Sequence, residues 1–235
     1  MKILIFGGNG GIGFAMCQIL AKRHPDIELH ATYRSCKPTT SPTNMTWHQV
    51  DVTNEPQIES LMATFDHLDC VINAIGLLHT AQSGPEKDLR SFSADFFWKN
   101  MSTNTLPSLL IAKHCQAALK ASTHPKFATV SARVGSISDN QLGGWYSYRA
   151  SKAALNMLLK TLSIEWARTM PKACVLSLHP GTTDTPLSRP FQSNVPAGKL
   201  FKPDNVARDL LSLIEHAQPK DSGRFLSYDG RDLPW

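Results

Sequence analysis

Tyr148 and Lys152 stand four residues apart in Trp145-Tyr146-Ser147-Tyr148-Arg149-Ala150-Ser151-Lys152-Ala153, at the start of a long stretch of helical period. Both side chains therefore fall on one helical face. A free phenol has a pKa of about 10, and an ammonium beside it favours the phenolate, which brings the group towards the range of proton transfer. This pair could move a proton. Its spacing alone is common, so the rest of the chain has to supply the context.

A second cluster, Gly7-Gly8-Asn9-Gly10-Gly11-Ile12-Gly13, follows a short apolar run and opens an amphipathic stretch. Residues without Cβ let backbone N–H groups close on a pyrophosphate, and a helix N-terminus adds partial positive charge there. Strand, glycine turn and helix in this order suit a dinucleotide. An acidic residue about 20 positions on would bind the adenosine ribose and favour NAD. That place holds Tyr33 and Arg34, while Asp26 and Glu28 come too early to reach the ribose. Arg34, with Lys37 nearby, can instead pair with a 2′-phosphate. NADP(H) is expected over NAD(H).

The elements that must hold these groups follow from periodicity. Short apolar or β-branched runs predict strands at Lys2 to Phe6, Ile27 to Tyr33, Thr46 to Val50, Cys70 to Ala74, Phe127 to Ser131 and Cys174 to His179, with a weaker one at Arg224 to Ser227. Helical faces lie between them at Ile12, Ala15, Met16, Ile19 and Leu20, at Ile58, Leu61, Met62 and Phe65, and at Val206, Leu210, Leu213, Ile214 and Ala217. Strands alternating with helices predict an α/β chain, a single-domain doubly wound parallel sheet with helices on both faces. His79 to Ser91 and Pro186 to Pro203 break the rhythm and are expected as loops. Both follow strands, where ligands bind in such sheets.

The chain has 235 residues, 42% of them hydrophobic, enough for one sizeable core and too few for two ordinary domains. One domain over residues 1–235 is expected. The formal charge of +5 is scattered without a basic run, which suits a phosphate-bearing cofactor better than nucleic acid and is equally compatible with no role. Five cysteines, at 17, 36, 70, 115 and 174, lack metal-ligand spacing and read as reduced thiols. His79, His114 and His179 likewise lack ligand spacing, so no metal is expected. No segment reaches 18 apolar residues, which predicts no membrane partner and a cytoplasmic protein. Leu155, Leu158, Leu159 and Leu162 exceed one narrow core stripe and predict a second buried face between subunits.

The glycine loop, Asn73-Ala74-Ile75-Gly76, Asn104-Thr105-Leu106-Pro107, Ser131 with Gly135, Tyr148-x-x-x-Lys152 and Pro180-Gly181 occur in one order along nearly the whole chain. In that order they resemble the short-chain dehydrogenase/reductase family, which has a Rossmann fold. Ala132-Arg133-Val134-Gly135-Ser136-Ile137, and the closing Tyr228-Asp229-Gly230 with Leu233-Pro234-Trp235, resemble its C-factor-like branch, near the small carbonyl reductases. The resemblance implies an NADPH-dependent carbonyl reductase or alcohol dehydrogenase acting on a small carbonyl or alcohol. Tyr148 would be the acid in reduction and the base in reverse, and Lys152 would lower its pKa and hold the nicotinamide ribose. Asn104 would hold a water linking Lys152 to solvent, on a helix that Pro107 bends. Gly7, Asn9, Gly10, Gly11, Ile12, Gly13 and Arg34 would hold the phosphates, Asp51 and Val52 the adenine, and Asn73, Ala74 and Gly76 the cofactor wall. Pro180, Gly181, Thr183 and Thr185 would flank the carboxamide. A homodimer or homotetramer is implied.

Two positions depart from the family pattern. Phe6 stands where a threonine usually steadies the glycine turn. Ala132 aligns with the substrate-orienting serine, so that Ser131, re-aimed by a bulge, or Ser136 from the loop would have to replace it. That loss also supports a second reading, a regulatory or signalling protein whose conformation follows NADP(H) occupancy with little turnover.

Overall fold

The computed structural model describes residues 1–40 and 42–235. Strands β1 (Lys2–Phe6), β2 (Glu28–Tyr33), β3 (Met45–Gln49), β4 (Cys70–Asn73), β5 (Lys126–Val130), β6 (Cys174–His179), β7 (Thr182–Thr183), β8 (Leu200–Phe201) and β9 (Arg224–Ser227) alternate with helices α1 (Gly11–Arg23), α2 (Glu55–Met62), α3 (Ala94–Asn100), α4 (Leu106–Lys120), α5 (Tyr146–Thr169) and α6 (Pro203–His216). Seven strands form one parallel sheet in the order β3-β2-β1-β4-β5-β6-β9. All seven expected strands are present, with ends displaced by at most one residue.

The pleat explains why β1 carries an unbroken apolar run. Ile3 and Ile5 point into a core with Met16 and Leu20 of α1 and Leu210 and Ile214 of α6. Leu4 and Phe6 point the other way, into a core with Ile58 of α2, Ile111 of α4 and Leu155, Leu159 and Trp166 of α5. The sheet is thus covered on both faces. Strand order reverses between β1 and β4, and the crevice above their carboxyl ends is where such sheets bind ligands.

Two expectations are corrected. Residues 186–203 are not a plain loop: a 3₁₀ turn spans Arg189–Asn194, and Leu200–Phe201 pairs in parallel with Thr182–Thr183. The leucines of α5 do not form an exposed outer face either, because Leu155, Leu159 and Leu162 are buried in this chain's own core and Leu158 is half-buried. Along the body of α5 the large apolar side chains that are exposed are Met157 and Ile164, at 64% and 59% exposure; Tyr146 at its start, Trp98 of α3 and Leu106 of α4 are exposed as well. No helix of the described residues is long and apolar enough to cross a membrane.

Candidate active site

β1 is followed by Gly7, whose φ of +75° favours glycine. A Cβ on Gly13 would collide with the Gly7 carbonyl, and one on Gly11 with the Thr185 side chain. The loop therefore closes on itself and on the segment after β6. Phe6 is fully buried, and Thr32 of β2 supplies the hydroxyl that the turn would otherwise lack: its Oγ1 accepts from Gly7 N at 3.1 Å. Gly10, the cap of α1, makes no side-chain bond to the first turn, which leaves N–H groups there for an anion. Asn9 Nδ2 donates to the Cys36 carbonyl at 3.2 Å, and Gln49 Nε2 to that of Arg34 at 3.1 Å. These bonds tie the loop carrying Arg34 beside the glycines. Arg34 is exposed and forms no salt bridge among the described residues.

Asp51 Oδ1 accepts from Thr53 N and Oγ1, bonds that hold its carboxyl below the usual range. Val52 turns its side chain into the core, so any part it plays at an adenine falls to its main chain. Asn73 is buried and shapes the turn after β4, accepting from Ile75 N at 3.1 Å and donating to Ser108 Oγ at 2.8 Å. Ala74 N donates to the Phe6 carbonyl, which joins this wall to the end of β1. A Cβ built on Gly76 would stand 3.9 Å from Lys152 Nζ, so the wall runs directly to the lysine.

Lys152 and Tyr148 are both buried in the first turns of α5, and Lys152 Nζ lies 5.9 Å from the Tyr148 ring centroid. Gly135 lets the loop after β5 lie against the backbone of Lys152, where a Cβ would come within 2.7 Å. Lys152 Nζ donates to the Val130 carbonyl at 3.1 Å. Burial pushes the Lys152 ammonium down to about 8 and the Tyr148 phenol up. The expected pull of lysine on tyrosine is thus opposed by desolvation, which favours the neutral form of each group. A buried neutral phenol is a proton donor.

Asn104 sits in a π turn, Met101–Thr105, just before α4. Pro107 has no N–H to offer Thr103, so the regular ladder breaks there, and the expected bend takes this form. The Asn104 side chain is fully engaged. Its Oδ1 accepts from Leu77 N at 2.6 Å, and its Nδ2 donates to Leu77 O, Asn100 Oδ1 and Ser151 Oγ. A water serving Lys152 would therefore fall to main-chain groups of the π turn, not to the Asn104 amide.

Ser131 is buried, and its Oγ donates at 2.6 Å to Asn156 Oδ1, which also accepts from Ser177 Oγ at 2.8 Å. No bulge re-aims it: Ser131 N continues the ladder to the Leu178 carbonyl. Ser136 is buried in its own loop, accepting from Asp139 N at 3.1 Å. The expectation that Ser131 orients substrate is not met by its geometry, since its one proton is spent on Asn156.

Beyond β6, Gly181 takes φ +71° with the Phe201 ring against it, and Pro180 is buried beside it. Thr183 is buried with an Oγ1 that has no partner among the described residues, while Ser188 Oγ accepts from Thr185 N at 3.3 Å. The expected loops meet over Tyr148: Trp145 lies 6.2 Å from the Tyr148 ring and 5.4 Å from Phe191, and Phe191 lies 5.9 Å from His79. Tyr146 is a surface aromatic. His179 is pushed down to about 4 by burial, and its Nδ1 accepts from Arg133 N. No group of three or more His, Cys, Asp or Glu among the described residues could hold a metal ion. Sequence spacing did not single out Thr32, Glu86, Trp145 or Asn156. Only the consecutive Gly143 and Gly144 before Trp145 carried a local signal of unusual backbone.

A family model for short chain dehydrogenase matches residues 1–196. The 1-hydroxy-2-glutathionyl-2-methyl-3-butene dehydrogenase of Rhodococcus sp. (strain AD45) is 29% identical, covering 99% of both chains. The C-signal protein of Myxococcus xanthus is 35% identical over 58% of this chain and 77% of its own. Among solved structures, an NADPH-bound carbonyl reductase from chicken fatty liver superposes with a TM-score of 0.86 at 24% identity, covering 100% of this chain and 94% of the other.

Proposed function

The chain belongs to the short-chain dehydrogenase family, and from that premise we propose that it is an NADP(H)-dependent oxidoreductase of the carbonyl reductase type, acting on a carbonyl or alcohol. The observation that carries this reading is the buried Tyr148 and Lys152 pair at the end of a wall that begins at the glycine loop. The residues fit a dinucleotide. The glycine cradle has no room for a Cβ, the first turn of α1 offers free N–H groups, and the orphaned Thr183 Oγ1 suits a carboxamide. Gly7, Asn9, Gly10, Gly11, Ile12 and Gly13 would hold the pyrophosphate, Asp51 and the Val52 main chain the adenine, and Asn73, Ala74, Gly76, Pro180, Gly181, Thr183 and Thr185 the nicotinamide side. A bound nicotinamide would supply or accept the hydride. Tyr148 gives its proton to the carbonyl oxygen in reduction and takes it back in oxidation. Lys152 holds the ribose and feeds the proton path past Asn104. This reading takes residues 1–235 as one NAD(P)-binding domain in the cytoplasm; that β1 and β9 share a sheet supports the first part, and the four buried free thiols suit the second.

Titration of the protein with NADPH and NADH, followed by a screen of carbonyl substrates, tests the reading; failure to bind either cofactor ends it. On this reading Arg34 pairs with a 2′-phosphate, a charge-assisted bond worth about 10- to 100-fold in affinity. Arg34→Ala is expected to weaken NADPH by that factor and leave NADH unchanged, and equal losses for both would remove Arg34 from the phosphate.

Ala132 in place of a serine, with the likeness to C-signal, favours a second reading: NADP(H) binding that sets conformation, with little turnover. Cofactor-dependent partner binding that survives Tyr148→Phe would distinguish it. The exposed Met157, Ile164 and Trp98 support a homodimer or homotetramer. Sedimentation is expected to give a dimer or tetramer that Met157→Glu with Ile164→Glu converts to monomer; a monomeric wild type would refute this.

A further inference from the structure

Glu86 is 3% exposed, yet it makes no salt bridge among the described residues. A carboxylate taken out of water needs compensation, and all of what is visible here comes from the first turn of α5. Oε2 accepts from Ser147 N at 3.1 Å, Oε1 accepts from Ser147 Oγ, and the Glu86 carbonyl accepts from Trp145 N. α5 has no capping side chain of its own, because its cap is Trp145. Glu86 therefore caps the helix from a loop 61 residues upstream of Ser147, with its negative charge at the positive end of the helix dipole.

The backbone it holds is strained. Gly143, Gly144 and Trp145 follow one another in left-handed conformation, and Trp145 is the only such non-glycine residue among those described. A tryptophan there is strained, so it persists only where its surroundings fix it. Glu86 and Lys87 press on Gly144 from one side, with their carbonyls 3.3 Å from where a Cβ would stand. Tyr148 and Phe191 pack on the Trp145 ring from the other. The next residue after the clamped Ser147 is Tyr148.

We propose that Glu86 is a positioning residue for the reaction assigned above: it fixes the first turn of α5, and through Ser147 and Trp145 it sets where the Tyr148 hydroxyl stands. The segment 79–91 is on this account part of the catalytic frame. A displacement of about 1 Å in a reacting group costs on the order of 100-fold in rate, so a loosened first turn is expressed in kcat.

The inference rests on the reductase reading, and its test separates the two. Glu86→Gln, Ser147→Ala and the double variant are compared with wild type for kcat, KM, NADPH affinity and amide exchange over residues 145–150. Glu86→Gln is expected to lower kcat roughly 10- to 100-fold, to leave NADPH affinity unchanged, and to speed exchange at 145–150 while the sheet keeps its protection. The double variant is expected to lose no more than the worse single one, because both act through one set of bonds. Ser147→Ala keeps the peptide N–H bond and serves where Glu86→Gln fails to fold. Unchanged kcat per NADPH-binding site, or unchanged exchange at 145–150, overturns the clamp. A wild type that binds NADPH and turns nothing over overturns the reductase reading, and faster exchange in Glu86→Gln would then retain the clamp as a device that orders the first turn of α5.

Discussion

Tyr148→Phe is expected to lower carbonyl turnover by about 10²- to 10⁴-fold, the range that a positioned acid contributes, and to leave NADPH affinity near that of wild type. The expectation follows from what the substitution removes. The ring stays, so the packing against Trp145 is retained. Only the hydroxyl goes, and the hydrogen bond that Tyr148 accepts from Ser151 Oγ is on its main-chain carbonyl, which the variant keeps. Burial raises the phenol, so it is protonated at neutral pH and can donate in the direction of reduction. No neighbouring hydroxyl takes over: Ser131 is bonded to Asn156, and Ser136 lies within its own loop. NADPH oxidation by wild type and variant, measured with one carbonyl under saturating cofactor, decides it. Turnover retained within about tenfold would place the proton elsewhere. Equal inactivity of both proteins, with tight NADPH binding, would move the weight to the regulatory reading.

The parts of this site that were legible in the sequence are those set by local spacing. The Tyr148 and Lys152 pair depends only on helical period, and the phosphate loop only on glycines between a strand and a helix. The pleat even gave the right warning about Ser131, which a regular strand turns away from the place of Ala132. What was not legible is set by distant partners. Nothing near Glu86 in sequence marks it as the cap of a helix that begins at Tyr146, and nothing near Phe6 points to Thr32 as the source of the turn's hydroxyl. The α5 leucines show a related limit. Counting apolar residues predicted an excess, but α5 packs on both the sheet and α4, and this wider contact takes in Leu155, Leu159 and Leu162. The outer face is carried by Met157 and Ile164, which no spacing argument had separated from the rest.

Lys152→Met is expected to abolish turnover and to raise the melting temperature. Lys152 is buried, and its ammonium titrates at about 8, well below 10.5. At a pH between these values the unfolded chain holds the proton and the folded chain does not, so stability rises with pH across that window. Below about 8 the folded state carries the whole cost of the buried charge, ~3 kcal/mol as an upper value. Methionine fills much the same volume without the charge, and against this gain stands the Val130 carbonyl, left without its donor at a cost of about 1–2 kcal/mol. The balance is ~1–2 kcal/mol in favour of the variant, a few degrees in a chain of this size. Thermal melts of both proteins at several pH values check this. The wild-type rise between pH 8 and 10.5 should flatten in the variant, and a variant that melts lower with the same pH dependence would show that the ammonium carries no such cost. A lysine kept for structure alone would be improved on by methionine. One that destabilises the fold would be kept for what its charge does at Tyr148, and the two measurements together, stability up and turnover gone, would be the signature of that trade.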